Sequence, residues 1–316
     1  MIKQSPVNSS SFVLTANDRA WQQANEARLR ENAQRWIDSK ETTLYTEKWE
    51  GYYVAVTREG QRLVLWMMED KAASTDWIQS VLDLREPLCL QSSYTQAMTL
   101  ALLWQPSPRR VFFGGLGGGC LATMLHHHLP HTQFQCVEIA QPVVTAATRF
   151  FAFRTDERLS LDIDDVRAFL QRDTTAYDLL LLDIFCDGGR SPAHVMQHDF
   201  FALCRKRTAE SGLLAVNAGN GDPEFENVSA ALADLFSTVF CCRGRGSTTV
   251  FFATDQPPLA RSALADATAV IEKHLGLRFP LLPWTSRLEQ LHPAQPLGET
   301  DPPAAPPSNG PASSTQ

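Results

Sequence analysis

The chain has 316 residues, 44% apolar and 20% charged, the profile of a globular protein of one or two domains with a sizeable core. Its net charge of −7 argues against a nucleic-acid partner, which needs a positive footprint. No apolar run reaches the roughly 18 residues of a membrane helix, and Met1 to Leu14 lacks a charged start followed by an apolar stretch, so neither membrane nor secretory signal is expected. The seven cysteines, an odd number without a C-x-x-C pair, read as reduced core residues of a cytoplasmic protein.

Residues 1–43 carry a polar helix over Ala16 to Lys40, expected to pack through Trp21, Ala24, Leu29 and Trp36. Residues 44–105 form a small β element with a linking helix. Tyr52, Val54 and Val56 alternate with other residues, Arg58 to Gln61 makes a turn, and Leu63 to Trp66 follows, a β-hairpin signature. A further short strand is expected near Leu88-Cys89-Leu90, then a helix from Tyr94 to Trp104.

From 106 to 258 the pattern becomes strand, turn and helix in alternation. Strands are predicted at Val111 to Phe113, Phe134 to Ile139, Leu159 to Ile163, Tyr177 to Asp183 and Leu213 to Asn217, with helices between them. Val239 to Cys242 and Thr248 to Ala253 pair around a glycine turn. Near-continuous apolar strands alternating with helices predict a mostly parallel sheet covered on both faces, with an antiparallel edge hairpin and seven strands in all. Residues 259–291 carry a C-terminal helix. The Pro- and Ala-rich tail, 292–316, cannot bury enough apolar surface to offset its ordering entropy and is expected to be disordered.

The chemistry concentrates at the strand ends. Val111-Phe112-Phe113 runs directly into Gly114-Gly115-Leu116-Gly117-Gly118-Gly119, so Gly115, Gly117 and Gly119 suit a turn that a ligand approaches closely. Glu138 closes the next strand about 20 residues on, where an acid accepts both hydroxyls of a ribose. Asp165 ends the third strand and is placed to accept from an adenine amino group, while Asp164 has the chemistry of a helix N-cap. Asp183 ends the fourth strand, over the sheet's switch region, and is placed at the amine end of a bound cofactor. The loop Cys186-Asp187-Gly188-Gly189-Arg190-Ser191-Pro192 has the composition of a lid, and Asp187 is its candidate general base. His194 and His198 flank that loop as further acid/base candidates. Cys186 has no evident activating base. His126-His127-His128 and His131 sit at a helix end without a converging carboxylate or cysteine set, so no metal is expected. Asn217 ends the fifth strand.

Taken in order, Tyr94-Thr95-Gln96-Ala97-Met98, Pro108-Arg109-Arg110-Val111 to Gly119, Val137-Glu138-Ile139, Arg158-Leu159 to Asp165 and Tyr177-Asp178 to Asp187 resemble the spermidine synthase (polyamine aminopropyltransferase) family over about residues 45–255. The resemblance implies a Rossmann-like, class I methyltransferase-type α/β fold behind an N-terminal β element. It implies that Gly115, Gly117 and Gly119 wrap an S-adenosyl cofactor and that Tyr94 lines the acceptor side. The cofactor would be S-adenosylmethionine or its decarboxylated form, without a metal, the partner a small amine, and the assembly a homodimer. Three positions depart from the family pattern. Gly118 stands where an aspartate holds the donor's propylamine, Gln96 stands for the acid after the tyrosine on the cofactor side, and Cys186 stands for the catalytic aspartate, which Asp187 restores if the loop holds one extra residue. Three readings therefore remain open: aminopropyl transfer to a small amine, methyl transfer from S-adenosylmethionine, and a non-catalytic binding or scaffold protein of the same fold.

Overall fold

A computed structural model describes residues 7, 12–69, 77–185, 191–244 and 246–291. The proposed tail, together with Cys186 and Asp187, lies outside these residues.

Helix α1 (Ala16–Ile37) begins at a capping box. The Asp18 N–H donates to Thr15 Oγ1 at 3.1 Å, and the Thr15 N–H donates back to Asp18 at 2.7 Å. Two end donors are thereby satisfied reciprocally. The buried stripe runs through Asn25, Leu29 and Ala33, spaced four apart, so Ala33 takes the core place expected of the exposed Ala24. Trp36 packs on Phe150, ring centroids 4.8 Å apart, and Trp21 lies edge-on to His126 at 5.1 Å.

The N-terminal β element is larger than a hairpin. Strands β1 (Thr43–Trp49), β2 (Tyr52–Glu59), β3 (Arg62–Glu69) and β4 (Trp77–Asp83) form a four-stranded antiparallel meander. Glu50 and Gly51 join β1 to β2 with φ of 45° and 88°, the paired positive φ of a two-residue turn that matches strand twist. Leu88-Cys89-Leu90 is not a strand. It is a turn in which the Cys89 N–H donates to Glu86 O, because the following helix claims the chain. That helix is α2 (Ser93–Met98), continued as a 3₁₀ turn to Leu103.

The main sheet uses β5 (Arg110–Gly114), β6 (Gln133–Glu138), β7 (Leu159–Ile163), β8 (Tyr177–Leu182), β9 (Thr208–Gly219), β10 (Thr238–Arg243), β11 (Thr248–Thr254) and β12 (Leu288–Leu291). Its order is β12-β10-β11-β9-β8-β5-β6-β7, and the five strands from β9 to β7 are parallel. The edge is antiparallel, but the sheet has eight strands, not seven. Strand β12 adds to β10, Cys242 opposite Leu288, and ties residues 259–291 to the same body. Four residues bounded by polar neighbours give no period long enough to reveal such a strand.

Helices α3 (Cys120–His128), α4 (Gln141–Phe150), α5 (Val166–Arg172), α6 (His198–Arg207), α7 (Phe225–Leu235) and α8 (Arg261–Leu275), with the short α9 (Leu282–Thr285), accompany the sheet. The two faces of the main sheet carry the two largest core clusters, one around Phe113, Leu179 and Leu181, the other around Phe112, Leu180 and Leu182, and a third joins the N-terminal sheet to α4. Successive residues of β8 thus feed opposite faces, which explains its unbroken apolar run. Crossovers leave β5 in one direction toward β6 and β7, and β8 in the other toward β9. The C-terminal ends of β5 and β8, with Gly114 opposite Leu182, therefore form the switch point where ligands of open α/β sheets bind.

Candidate active site

The glycine turn after β5 is required by its neighbours. Gly115 has φ of 86°, and a Cβ there would lie 2.1 Å from the carbonyl oxygen of Asp183. Any other residue would be both strained and blocked. The Gly115 N–H donates to Val137 O at 2.9 Å, and the Asp183 N–H to Gly114 O at 2.8 Å, so the ends of β5, β6 and β8 are pinned together.

Glu138 is buried, with 8% of its surface exposed. Its carboxylate accepts the N–H of Leu116 at 2.9 Å through one oxygen and the N–H of Ala140 at 2.9 Å through the other. Burial raises its pKa, and the backbone donors of Ala140, Leu116, Gly117 and Ile139 oppose that rise. Glu138 therefore sets the shape of the glycine turn directly. Each oxygen keeps a lone pair beyond the backbone bond it accepts.

A cavity of about 270 Å³ lies between the N-terminal sheet and the switch point. Gly115, Gly117, Glu138, Asp165 and Asp183 all line it, so the structure brings together acids that are far apart in the sequence. Gly119 does not line it. It caps α3 with φ of 70°, pressed against Phe153. Asp165, not Asp164, is the N-cap of α5, accepting the Ala168 N–H at 2.9 Å. The other Asp165 oxygen pairs with His194 Nε2 at 2.9 Å, and His194 lines the cavity. Burial pulls the Asp165 pKa up, but His194 and the backbone donors outweigh it and hold the group below the ordinary range. Asp164 instead bonds Arg172. His198 turns away to Asp234 at 2.8 Å.

Asp183 is held from two sides. Asn217 Nδ2 donates to it at 2.8 Å, and the Tyr94 hydroxyl, which donates to the Gln79 carbonyl at 3.3 Å, lies beside its carboxylate. Burial raises the Asp183 pKa, and both donors only partly offset it. Burial and the nearby Asp183 charge push Tyr94 well above the usual phenol range. A second small cavity, about 30 Å³, links Tyr94, Ser80, Cys120, Gly115 and Asp183. Burial drives Cys120 up to about 12, which keeps it an inert thiol.

Gln96 is not part of this arrangement. Its Nε2 donates to Leu90 O at 2.6 Å and its Oε1 accepts from Trp284 Nε1 at 3.0 Å, so the amide serves packing against α9. Gly118 has no room for a side chain. A Cβ would lie 2.7 Å from the Phe151 ring and 2.9 Å from Ser80 Cβ, while the Gly118 N–H donates to Ser80 Oγ at 2.8 Å. Asp187 and Cys186 lie outside the described residues. The histidine run is divided among separate tasks. His126 pairs with Asp156 at 3.0 Å, His127 Nδ1 meets Asn25 at 3.2 Å, and His131 meets Asp18 at 3.2 Å. Among the described residues no three His, Cys, Asp or Glu side chains converge as metal ligands.

Sequence reasoning missed the contribution of the N-terminal sheet. Trp49, Glu50, Tyr52, Met67 and Gln79 form that wall of the cavity. Gln79 Nε2 is shielded and lacks a hydrogen-bond partner among the described residues, an amide donor at a ligand-sized space. The alternation of Trp77, Gln79 and Val81 with Ile78, Ser80 and Leu82 was the available signal.

No family model matches the chain. Over 147 residues, 45% of its length, it is 31% identical to a polyamine aminopropyltransferase of Vibrio vulnificus (strain CMCP6), and it spans about half, 49%, of that relative. Over 214 residues, 65% of its length, it is 29% identical to a polyamine aminopropyltransferase of Chromobacterium violaceum, covering 80% of that protein. In three dimensions it matches a probable spermidine synthase from Corynebacterium glutamicum ATCC 13032 with a TM-score of 0.62, at 16% identity, over 83% of this chain and 100% of that one. It matches human methyltransferase-like protein 13, solved in complex with SAH, with a TM-score of 0.53, at 22% identity, over 59% of this chain and 94% of that one. No helix among the described residues is long and apolar enough to cross a membrane. In sequence the chain is similar to the polyamine aminopropyltransferases, and its fold is the one that spermidine synthases and class I methyltransferases share.

Proposed function

We propose that this chain transfers an aminopropyl group from decarboxylated S-adenosylmethionine to a small amine. The observation that carries the reading is the charge of the cavity. Glu50, Glu138, Asp165 and Asp183 line it, and no lysine or arginine does among the described residues. Among the described residues the carboxylate of S-adenosylmethionine would find no lysine or arginine there, whereas a sulfonium and an ammonium would meet four carboxyl groups.

In this reading the glycine turn follows the adenosine, Glu138 accepts from the ribose hydroxyls and Asp165 from the adenine amino group. The last step requires the adenine to share or displace His194. Gln79 supplies its free amide donor to the same ligand. The reaction is a displacement: the acceptor nitrogen bonds to the propyl carbon, the carbon–sulfur bond breaks, and its electron pair leaves with methylthioadenosine. The proton shed by the new secondary amine needs a base. Asp183, kept by burial above the ordinary carboxylate range, has the affinity to take it, and Tyr94 and Asn217 fix its orientation. Asp187 remains a second candidate for that base on its sequence position.

The test is incubation with the decarboxylated donor and a series of linear diamines. The expected result is methylthioadenosine together with an amine one aminopropyl unit longer. The alternative, methyl transfer, is favoured by Gly118, where the space of the expected aspartate is filled by Phe151 and Ser80. Release of S-adenosylhomocysteine from the carboxylated donor would select that reading. Turnover of neither donor, without binding of either, would leave a scaffold protein.

A further inference from the structure

A larger cavity lies elsewhere. It encloses about 750 Å³ at the opposite end of the main sheet, where β5, β6 and β8 begin. The five residues of β5 separate it from the glycine turn by about 13 Å. Its volume falls in the range of small-molecule sites, roughly 300–1,000 Å³.

Its charge is the reverse of the first cavity's. Arg109 and Arg110 line it, and neither guanidinium has a hydrogen bond or ion pair among the described residues. The one acid on its wall, Asp178, is already engaged, accepting the backbone N–H groups of Arg109 at 2.7 Å and Arg110 at 2.9 Å. That carboxylate holds the backbone from which both arginines project. Ser107, Thr132 and Gln133 add polar groups to the wall, and rings and aliphatic groups make up much of the rest. Phe12 stacks on His274 with centroids 5.4 Å apart, and Leu14, Leu129 and Leu275 complete the apolar part. His128 adds another ring; burial first, then the charges of His127 and Arg278, lower its pKa to about 3, so it is neutral there.

We propose that this second cavity binds a small organic anion: a flat ring system carrying a phosphate or a carboxylate. The arginines would take the anionic group through charge-assisted, fork-like hydrogen bonds, and the rings and leucines would cover the body of the ligand. The site is independent of the aminopropyl-transfer reading, because none of its residues lines the first cavity.

The test uses three probes that share one ring: 1-naphthyl phosphate, 1-naphthoate and the uncharged 1-naphthol, each titrated calorimetrically into the full chain. One anion or both should bind with one-to-one stoichiometry, and the stronger of the two identifies the preferred anionic group. Naphthol and the Arg109→Gln/Arg110→Gln variant should each weaken binding at least about tenfold, the loss expected for charge-assisted bonds. Both arginines are exposed, so the variant should keep the wild-type unfolding temperature. Excess methylthioadenosine should not displace the probe. Equal binding of naphthol, equal binding by the variant, displacement by methylthioadenosine, or no binding of either anion would each overturn the proposal.

Discussion

The two cavities are built on the same strands and differ in sign. Strand β8 begins beside Asp178 at the arginine-lined end and delivers Asp183 at the acid-lined end. Strand β5 begins at Arg110 and ends in the glycine turn. The apolar residues between are interchangeable in kind, and they make a sheet without choosing a ligand. What each end can hold is decided by the few residues just outside the strands. At the acid end burial raises the pKa values of Glu138 and Asp183, a state that costs stability until a cation arrives. At the basic end the arginines are exposed and carry no such cost.

The sharpest break in this contrast is Asp183→Asn. Removing the carboxylate that Tyr94 and Asn217 orient should reduce aminopropyl transfer by on the order of 10³-fold in initial-rate assays, since it removes both a base and a counter-charge. Activity within tenfold of wild type would move the base to Asp187. Next in size is Glu138→Gln. It replaces a charged acceptor with a neutral one and should weaken donor binding by roughly ten- to a hundredfold by calorimetry, with little change in kcat at saturation.

Gly118→Asp restores the acid of the family pattern but has no space for it. Overpacking against Phe151 and Ser80 should cost about 1–3 kcal/mol in denaturant unfolding and should not tighten donor binding. A gain in affinity without loss of stability would show that the turn can open at this point.

The smallest effect is in pH. A carboxyl whose folded pKa is raised binds its proton more tightly folded than unfolded, so its stabilising contribution is complete at low pH and is lost as pH climbs through the raised value. Glu138 and Asp183 should therefore lower the stability of the ligand-free protein as pH rises through and above the ordinary carboxylate range. Asp165, held low, works the other way, and its contribution is lost only as pH falls through its depressed pKa. Catalysis has the opposite preference from stability and should rise as Asp183 ionises. Unfolding temperature against pH, compared with Asp183→Asn, checks the sign: the variant should flatten the decline.

Much of the sheet was legible because buried parallel strands are nearly continuous apolar runs bounded by glycine or acid. That signal located β5 to β9, the glycine turn and the acids Glu138, Asp165 and Asp183 at strand ends. It did not locate Gln79 or Tyr52, which reach the cavity from a separate sheet whose packing partner lies far off in the sequence. Side-chain direction was also illegible. Gln96 sits in the motif of the tyrosine helix, yet Leu90 and Trp284 claim its amide. Gly118 reads as a lost acid in sequence, and in space it is a position already filled by Phe151. The eighth strand was too short to show a period, and the arginine-lined cavity has no motif because its walls come from chain segments that share no pattern.

The most direct test of the acid-lined cavity is calorimetry of the two donors against the same protein. If the four carboxyl groups of the cavity, which has no lysine or arginine among its described lining residues, select the ligand, decarboxylated S-adenosylmethionine should bind at least about tenfold more tightly than S-adenosylmethionine. Equal affinity, or preference for the carboxylated donor, would contradict the account.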